Sequence, residues 1–364
     1  MKIAIVGSRG VAVTYSGIER SVSEVSRRLA EKGYQVIVYC RSTKNRKFPT
    51  QSFQNIKLVY IPTVHSKHFG TFIHALFSTL HLLFSDVDIV HFHALGPSIF
   101  SFLPRLFGKK TLVSVHGLDW KRKKWKYIAR LFLKFCEYTA IYFPNKTIVV
   151  SKSIQDYFEA KFKKKVYYIP NGVNVCFEYT NIRENVNKTG YILFVGRLVP
   201  EKGIHYLIKA FNELKPDMKL MIVGESSFTN EYVSYLRSIS GPHIEFLGFV
   251  GAEMLQKLYK DAYVFVLPSE VEGSPVSLLE AMSYGGCALV SDIPECLEVI
   301  GGCGVFFRSG DYVDLKDKLN YLIDNPKLVR KLGLKANKRI CEQYSWEPII
   351  NEFEQLYNSL LYHK

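Results

Sequence analysis

The sequence predicts an α/β protein built from two Rossmann-like, doubly wound parallel-sheet domains, and three observations carry this. Apolar, β-branched runs of strand length alternate with longer helical stretches from the first residues onward. The alternation halts at Ile169-Pro170-Asn171-Gly172 and then restarts. A chain of 364 residues is long enough for two separate cores. Strands that alternate with helices in this way join as parallel sheets.

In the first half, strands are expected near 2–7, 35–41, 56–63, 88–94, 110–117, 146–151 and 166–170. The connecting helix over 17–32 illustrates the intervening elements: Val22, Val25, Leu29 and Ala30 fall on one stripe and Gly33 supplies the stop. In the second half, strands are expected near 191–196, 219–224, 244–248, 263–268, 287–291 and 304–307. The division that follows is an N-terminal domain over 1–172 and a C-terminal domain over 173–345. The Asn-rich segment 181–189 and Pro170-Asn171-Gly172 are both eligible as the linker, and a last helix begins at about Trp346.

Composition narrows the setting. The opening MKIAIVGSRG reads as a buried strand entering a glycine turn and lacks the pattern of a secretory signal. The longest apolar stretch, Phe69 to Phe84, is interrupted by His74 and His81 and falls short of the roughly 20 residues that span a bilayer. A cytoplasmic protein with no transmembrane helix is expected. The seven cysteines are scattered, with no CxxC pair, and are assigned to packing as free thiols. Charge is uneven: residues 1–170 carry 28 Lys and Arg against 9 Asp and Glu, whereas residues 171–364 carry 20 against 24. So basic a first half points to an anionic partner: nucleic acid, a membrane surface or phosphorylated substrates.

Four motifs sit where predicted strands end. Gly7-Ser8-Arg9-Gly10, with Ser16-Gly17 opening the next helix, offers small residues and free backbone N–H groups to a phosphate, or else makes the tight turn any α/β fold needs. A nicotinamide site is disfavoured because GxGxxG is absent and the second strand ends in Arg41, where an acid would hold the ribose. The strongest stretch runs from Pro268 to Met282, with Glu272 and Glu280 separated by seven residues across a strand-to-helix turn. Pro275 suits the first helical turn, so Glu272, Gly273 and Ser274 lie at the helix N-terminus and Glu280 more than a turn inside. The first carboxylate is placed to meet a sugar hydroxyl beside a diphosphate held by backbone N–H groups, and the second can accept both ribose hydroxyls.

Gly196-Arg197-Leu198-Val199-Pro200-Glu201-Lys202-Gly203 sets a guanidinium and an ammonium in one loop, where two fixed cations would stabilise a departing nucleotide diphosphate without a metal. His116-Gly117-Leu118-Asp119-Trp120 follows another strand. Its histidine can bond a sugar hydroxyl, Asp119 can orient that histidine or an acceptor, and Arg9, Asp119 and Trp120 are the acceptor-side candidates. Trp120 and Trp125, interleaved with Lys121, Arg122, Lys123, Lys124 and Lys126, suggest an exposed acceptor or lipid-facing surface. Asp86-Val87-Asp88 has the DxD form of a metal–nucleotide site but reads as the start of a strand, and His91 with His93 lacks a third metal ligand.

Together these residues resemble glycosyltransferase family 4, retaining enzymes of the two-Rossmann GT-B architecture, over nearly the whole chain. The resemblance implies that Glu272 and Glu280, with Gly273, Ser274 and Pro275, bind the donor sugar and ribose. It implies that Arg197 and Lys202 hold the diphosphate, that Gly17 lies in a turn facing the donor, and that His116 contacts the sugar. It further implies a donor in the cleft between the domains, a donor-binding C-terminal domain, an acceptor-binding N-terminal one, no metal or other cofactor, and a last helix (346–364) crossing back onto the first domain. GSRGVAVTYSGIERSV and HGLDWKRKKW resemble a rhamnosyltransferase-like subset in bacterial surface-polysaccharide assembly, although Ser16-Gly17 stands where that subset has a Gly-Gly pair. The expected substrates are a UDP- or dTDP-sugar and a saccharide or lipid-diphosphate-linked acceptor, at or near the inner face of an anionic membrane. Helix 126–143 is the candidate membrane contact. A nucleotide-sugar epimerase and a basic nucleic-acid-binding protein are the rival readings, and nucleic acid is not an expected partner.

Overall fold

The computed structural model describes residues 1–10, 17–42, 55–63, 70–122, 125–175, 190–226 and 229–362. The segment 181–189, Ser16, Lys123, Lys124 and Cys176 lie outside the described residues. The chain divides into two compact units, one formed by Met1–Asn171 with Glu347–Lys364 and the other by Gly172–Trp346.

The first unit contains β1 (Lys2–Val6), β2 (Gln35–Ser42), β3 (Ile56–Pro62), β4 (Ile89–His93), β5 (Lys110–Val115), β6 (Lys146–Val149) and β7 (Tyr167–Tyr168). They pair in parallel in the order β3-β2-β1-β4-β5-β6-β7. Between them run α1 (Gly17–Glu31), α2 (Gly70–Leu83), α3 (Phe102–Leu106), α4 (Tyr127–Tyr142) and α5 (Lys152–Phe162). Ile3 to Val6 are fully buried, as expected of a central strand covered on both faces, and this is why it reads as a continuous apolar run. On α1 the stripe Val22, Val25, Leu29 and Ala30 is buried, and Gly33 follows with φ 89°.

The second unit has β8 (Tyr191–Val195), β9 (Leu220–Val223), β10 (Ile244–Gly248), β11 (Ala262–Leu267), β12 (Cys287–Ser291) and β13 (Val305–Phe307), all parallel, in the order β10-β9-β8-β11-β12-β13. Its helices are α6 (Ile204–Leu214), α7 (Asn230–Ser238), α8 (Ala252–Asp261), α9 (Val276–Ser283), α10 (Pro294–Ile300), α11 (Tyr312–Asp324) and α12 (Pro326–Gln343). Every strand expected from the alternation is present, with ends within two residues of expectation.

The last helix, α13 (Trp346–Tyr362), belongs to the first unit from Glu347 onward. Ile350, Phe353 and Tyr357 are buried on it, Tyr34 donates its hydroxyl to Glu354 at 2.8 Å, and Lys32 pairs with Glu354.

Strand order fixes where function can sit. In each sheet it reverses once, between β1 and β4 and between β8 and β11, and ligands of such sheets bind beyond the carboxyl ends at that switch point. The loops Gly7–Gly10, Gly196–Gly203 and Pro268–Pro275 each follow a switch-point strand. The Asp86-Val87-Asp88 pattern lies at the opposite, amino edge: Lys2 pairs with Asp86 and donates its backbone N–H to Asp88 at 2.7 Å, which pins the start of β1 to the start of β4.

Candidate functional site

In the second unit the two switch-point loops interlock. The backbone N–H of Glu270 donates to the carbonyl of Glu201 at 2.9 Å. Gly203 sits at φ 65°, and a Cβ there would overlap the carbonyl oxygen of Pro268, so only glycine lets the loops approach this closely. The result brings together two predicted residues 70 positions apart. Lys202 forms an ion pair with Glu272, whose carboxylate also accepts the Ser269 hydroxyl at 2.7 Å. Both side chains are mostly shielded, 13% and 9% exposed, so water screens the pair only weakly. Cys296 is buried close enough to feel both charges: burial, and then Glu272, push its thiol pKa up, and Lys202 opposes.

Glu272 precedes α9. Pro275 occupies the N-cap position and the helix starts at Val276, one residue later than the first-turn placement expected for proline. First-turn amides have no intrahelical acceptor and carry the positive end of the helix dipole. Gly273 and Ser274 therefore lead into an electropositive helix end with no acidic side chain in its first turn. Glu280 lies one turn inside, partly buried, and accepts the Tyr259 hydroxyl at 2.9 Å. On the other loop, Arg197 directly follows Gly196 at the end of β8 and is partly buried. Leu198 of the same loop helps line a cavity of about 400 Å³ at the carboxyl ends of β8, β9 and β10, together with Gly224, Glu225, Arg237, Phe246 and Gly248.

In the first unit the site is organised by histidines. The parallel register sets His93 of β4 beside Ser114 of β5, and His116 follows two residues on. His93 Nδ1 lies 2.9 Å from His116 Nε2 with the rings stacked. His91 reaches Ser114 at 2.7 Å and, from α13, Tyr357 at 2.8 Å. Three of the four ring nitrogens of His91 and His93 are thus hydrogen-bonded, and among the described residues no three metal-binding side chains converge. Burial pushes the His116 pKa down to about 4, Asp119 opposing, and that of His91 to about 3. The rings are neutral at neutral pH.

A neutral His93–His116 pair holds one proton between its facing nitrogens, and the outer nitrogens His93 Nε2 and His116 Nδ1 have no hydrogen-bond partner. If His116 donated, the leftover N–H would be stranded on His93, which is 2% exposed. If His93 donates, the free N–H falls on His116 Nδ1, which is buried as well. Either arrangement leaves one buried N–H unmet, and a bound hydroxyl that accepted it would relieve that cost.

Asp119 forms an ion pair with Arg122 at 3.3 Å. Trp120 differs from expectation. Instead of standing free among lysines, its indole is half-buried, donates to the buried carboxylate of Glu137 on α4 at 2.5 Å and lies under Lys134 at 4.8 Å. Arg9 is exposed, and its carbonyl accepts the Arg41 amide. Gly17 is the first residue of α1. Gly7 is explained by packing, because a Cβ there would overlap the His93 carbonyl.

Comparison with known proteins decides the family. The model described as "Glycosyltransferase Family 4" matches residues 15–176, and the one described as "Glycosyl transferases group 1" matches residues 178–339. The chain is a family 4 glycosyltransferase. An uncharacterized glycosyltransferase of Methanocaldococcus jannaschii is 24% identical over 352 residues, which cover 94% of this transferase and 95% of the relative. The Campylobacter jejuni N,N'-diacetylbacillosaminyl-diphospho-undecaprenol alpha-1,3-N-acetylgalactosaminyltransferase is 27% identical over 179 residues, 49% of this chain and 46% of that one. Among solved structures, sucrose-phosphate synthase of Thermosynechococcus elongatus superposes with a TM-score of 0.84 at 21% identity over 100% of both chains. Anabaena HepE, in complex with UDP and glucose, does so with 0.80 at 16% over 99% of this chain and 100% of its own. These likenesses establish the GT-B fold for the transferase.

Several partners in the transferase are invisible along the sequence. Tyr259 and Tyr357 hold Glu280 and His91 yet lie in no motif, and Ser269, though inside the Pro268–Met282 stretch, carries nothing along the sequence that marks its hydroxyl as the partner of Glu272. His91 and His93 carried the one available signal: alternation on a strand next to the strand that ends at His116.

Proposed function

We propose that this transferase moves a sugar, with retention of anomeric configuration, from a UDP- or dTDP-sugar to a saccharide or lipid-diphosphate-linked acceptor in cell-surface polysaccharide assembly. The observation that carries the donor half is the shielded Lys202–Glu272–Ser269 constellation at the N-terminus of α9, with Glu280 one turn inside. Supporting the substrate classes, HepE was solved with UDP and glucose, and the Campylobacter relative is named for a diphospho-undecaprenol acceptor. The rhamnosyltransferase-like opening motif favours a deoxysugar carried on dTDP.

The diphosphate lies against the loop amides and first turn of α9, where N–H groups and helix dipole meet negative charge. Glu280, oriented by Tyr259, accepts the ribose hydroxyls. The base occupies the cavity beside Leu198 and Gly224. Lys202 has three N–H donors, so it can hold Glu272 and still reach a phosphate oxygen, and Arg197 adds a second cation for the charge that grows as the C1–O bond breaks. The electron pair of that bond leaves with the diphosphate, the acceptor oxygen bonds C1 from the same face, and the acceptor proton passes to the departing phosphate oxygen. Neutral His116 donates Nδ1–H to a sugar hydroxyl. Glu272, neutralised by Lys202, positions the sugar and forms no ester; a trapped glycosyl-Glu272 adduct would overturn that role.

The test is thermal shift with UDP, dTDP, GDP, ADP and NADH, each with chelator, on wild type and Glu280→Ala. Stabilisation by one nucleoside diphosphate that survives chelator and is lost in the variant is expected. Stabilisation by NADH alone, or by none, refutes the reading. Product analysis without acceptor separates transfer from epimerisation.

A further inference from the structure

The first unit carries an apolar surface that its core does not require. On α4, Leu133, Cys136 and Ala140 face inward, but Ile128, Leu131, Phe135 and Tyr138 form a second stripe at spacings of three and four residues, with Ile128 81% exposed. The neighbouring α2 adds Phe77, the residue that follows it adds Phe84, 88% exposed, and the end of α3 adds Leu106 at 74%. These helices adjoin: Phe72 of α2 meets Phe132 of α4 with ring centroids 6.0 Å apart, and Phe102 of α3 meets Phe143 at 5.2 Å. The exposed side chains thus come from three adjacent helices, more than the scattered single hydrophobics of an ordinary surface.

Charge says what covers it. From Gly70 to Cys136 the chain has ten Lys and Arg against three Asp and no Glu. All three acids are engaged, with Lys2 and with Arg122. Lys126, the N-cap of α4, and Arg130 and Lys134 on the helix follow one another at helical-turn spacing and are exposed. We propose that α2, α3 and α4 form a docking surface for an anionic lipid bilayer, with the aromatic and aliphatic side chains entering the headgroup boundary and the cations pairing with lipid phosphates. Aromatic side chains at such a boundary and basic residues flanking them match its chemistry. A second copy of the chain fits poorly, because a two-fold contact would set this cationic rim against itself. Trp120 is hydrogen-bonded to Glu137 on α4, so the docked face and the acceptor-side loop share one helix. An acceptor anchored in the bilayer would arrive beside Asp119 and Trp120, and this last step alone rests on the transferase reading above.

The experiment is flotation of the full chain with vesicles of phosphatidylcholine alone or with about one third phosphatidylglycerol, at low and high salt. Binding to the anionic vesicles, weakened by salt, is expected. The triple charge reversal Lys126→Glu, Arg130→Glu, Lys134→Glu should lower partition by more than about a hundredfold, since losing each cation alone costs roughly fivefold. Phe84→Ser with Ile128→Ser should remove the binding that persists at high salt. Lys331→Glu with Lys335→Glu, in the second unit, should bind as wild type does. Melting temperature without nucleotide shows that each variant is folded, so the outcome does not depend on the donor site. The proposal is overturned if anionic vesicles do not retain the wild type, if the first-unit substitutions leave retention unchanged, or if Ile128→Ser dissolves a dimer and leaves vesicle binding intact.

Discussion

Removing the Lys202 ammonium separates what the Lys202–Glu272 pair does for stability from what it does for transfer. Lys202→Met keeps the stem and leaves Glu272 with the Ser269 hydroxyl at 2.7 Å as its remaining partner among the described residues. Breaking a fully buried pair from one side costs about 3–5 kcal/mol. With 13% and 9% of the two side chains exposed, some water remains, and a loss of about 2–3 kcal/mol follows. Glu272→Gln retains an acceptor oxygen for Lys202 and Ser269, so its loss is smaller, about 1–2 kcal/mol. In the double variant no charge is left uncompensated, and stability should return to within about 1 kcal/mol of wild type. Turnover should not return with it. A cation preorganised at a leaving group is worth about a hundred- to thousandfold in kcat, and the double variant lacks it as fully as Lys202→Met does. Hydrogen exchange of the second unit gives the stability cycle and steady-state sugar transfer gives the rate. A double variant that regains turnover would show that Lys202 only restrains Glu272; one that stays about 3 kcal/mol down would show that the two residues are not energetically coupled.

Other expectations follow from single contacts. Gly203→Ala must leave φ 65° or push Pro268 away, so it should cost about 1–2 kcal/mol and weaken nucleotide binding at least tenfold by titration calorimetry, whereas unchanged affinity would mean the loops need not interlock. Tyr357→Phe strips the hydroxyl that meets His91 at 2.8 Å inside the core, so about 1–3 kcal/mol should be lost and exchange of α13 should quicken first. With His116 as the Nδ1–H donor proposed above, His93→Phe should convert it to a mixture of tautomers, visible in its ¹⁵N shifts, and His93→Asn, which keeps a donor near the Nδ1 position, should restore the Nδ1–H form; an Nε2–H tautomer in the wild type would contradict that donor role. On acidification, burial holds His91 near 3 and His116 and His74 near 4, below the unfolded value of 6.5. The unfolded chain then binds protons the folded one refuses. The stability these rings contribute is therefore complete above pH 6.5 and is lost as pH falls toward 4, at about 2 kcal/mol per histidine by pH 5. Hydrogen exchange at pH 7.5 and 5 should place that loss in the first unit, and an equal loss in both units would contradict it.

Architecture was legible because it is written locally. A strand covered on both faces must be apolar at nearly every position, as in Ile3–Val6 and Val264–Leu267, and no neighbouring sequence is needed to recognise it. Loop motifs were legible to the same extent, since each directly follows its strand. Pairings were not. His91 meets Tyr357 across 266 positions and His93 meets His116 across 23, and both depend on strand order and on where α13 returns. Trp120 misled for a different reason: its lysine-rich surroundings read as solvated surface, but the one acid inside α4, Glu137, is buried and captures the indole, Tyr157 and Lys161 together.

The donor constellation is better understood as a consequence of strand order than as a property of either motif. β8 and β11 are 72 residues apart at their carboxyl ends in sequence but adjacent in the sheet, because the order reverses between them. That adjacency brings the Gly196–Gly203 and Pro268–Pro275 loops within backbone hydrogen-bonding distance, and Gly203 lets them close the remaining gap. Only then does Lys202 reach Glu272. A diphosphate demands positive charge held at a fixed place, and a flexible ammonium alone cannot give that. Here the carboxylate of Glu272, itself held by Ser269, restrains it. On the function proposed above, the acid in the motif fixes the cation that faces the leaving group, which is a sufficient reason for a glutamate beside a site that binds an anion.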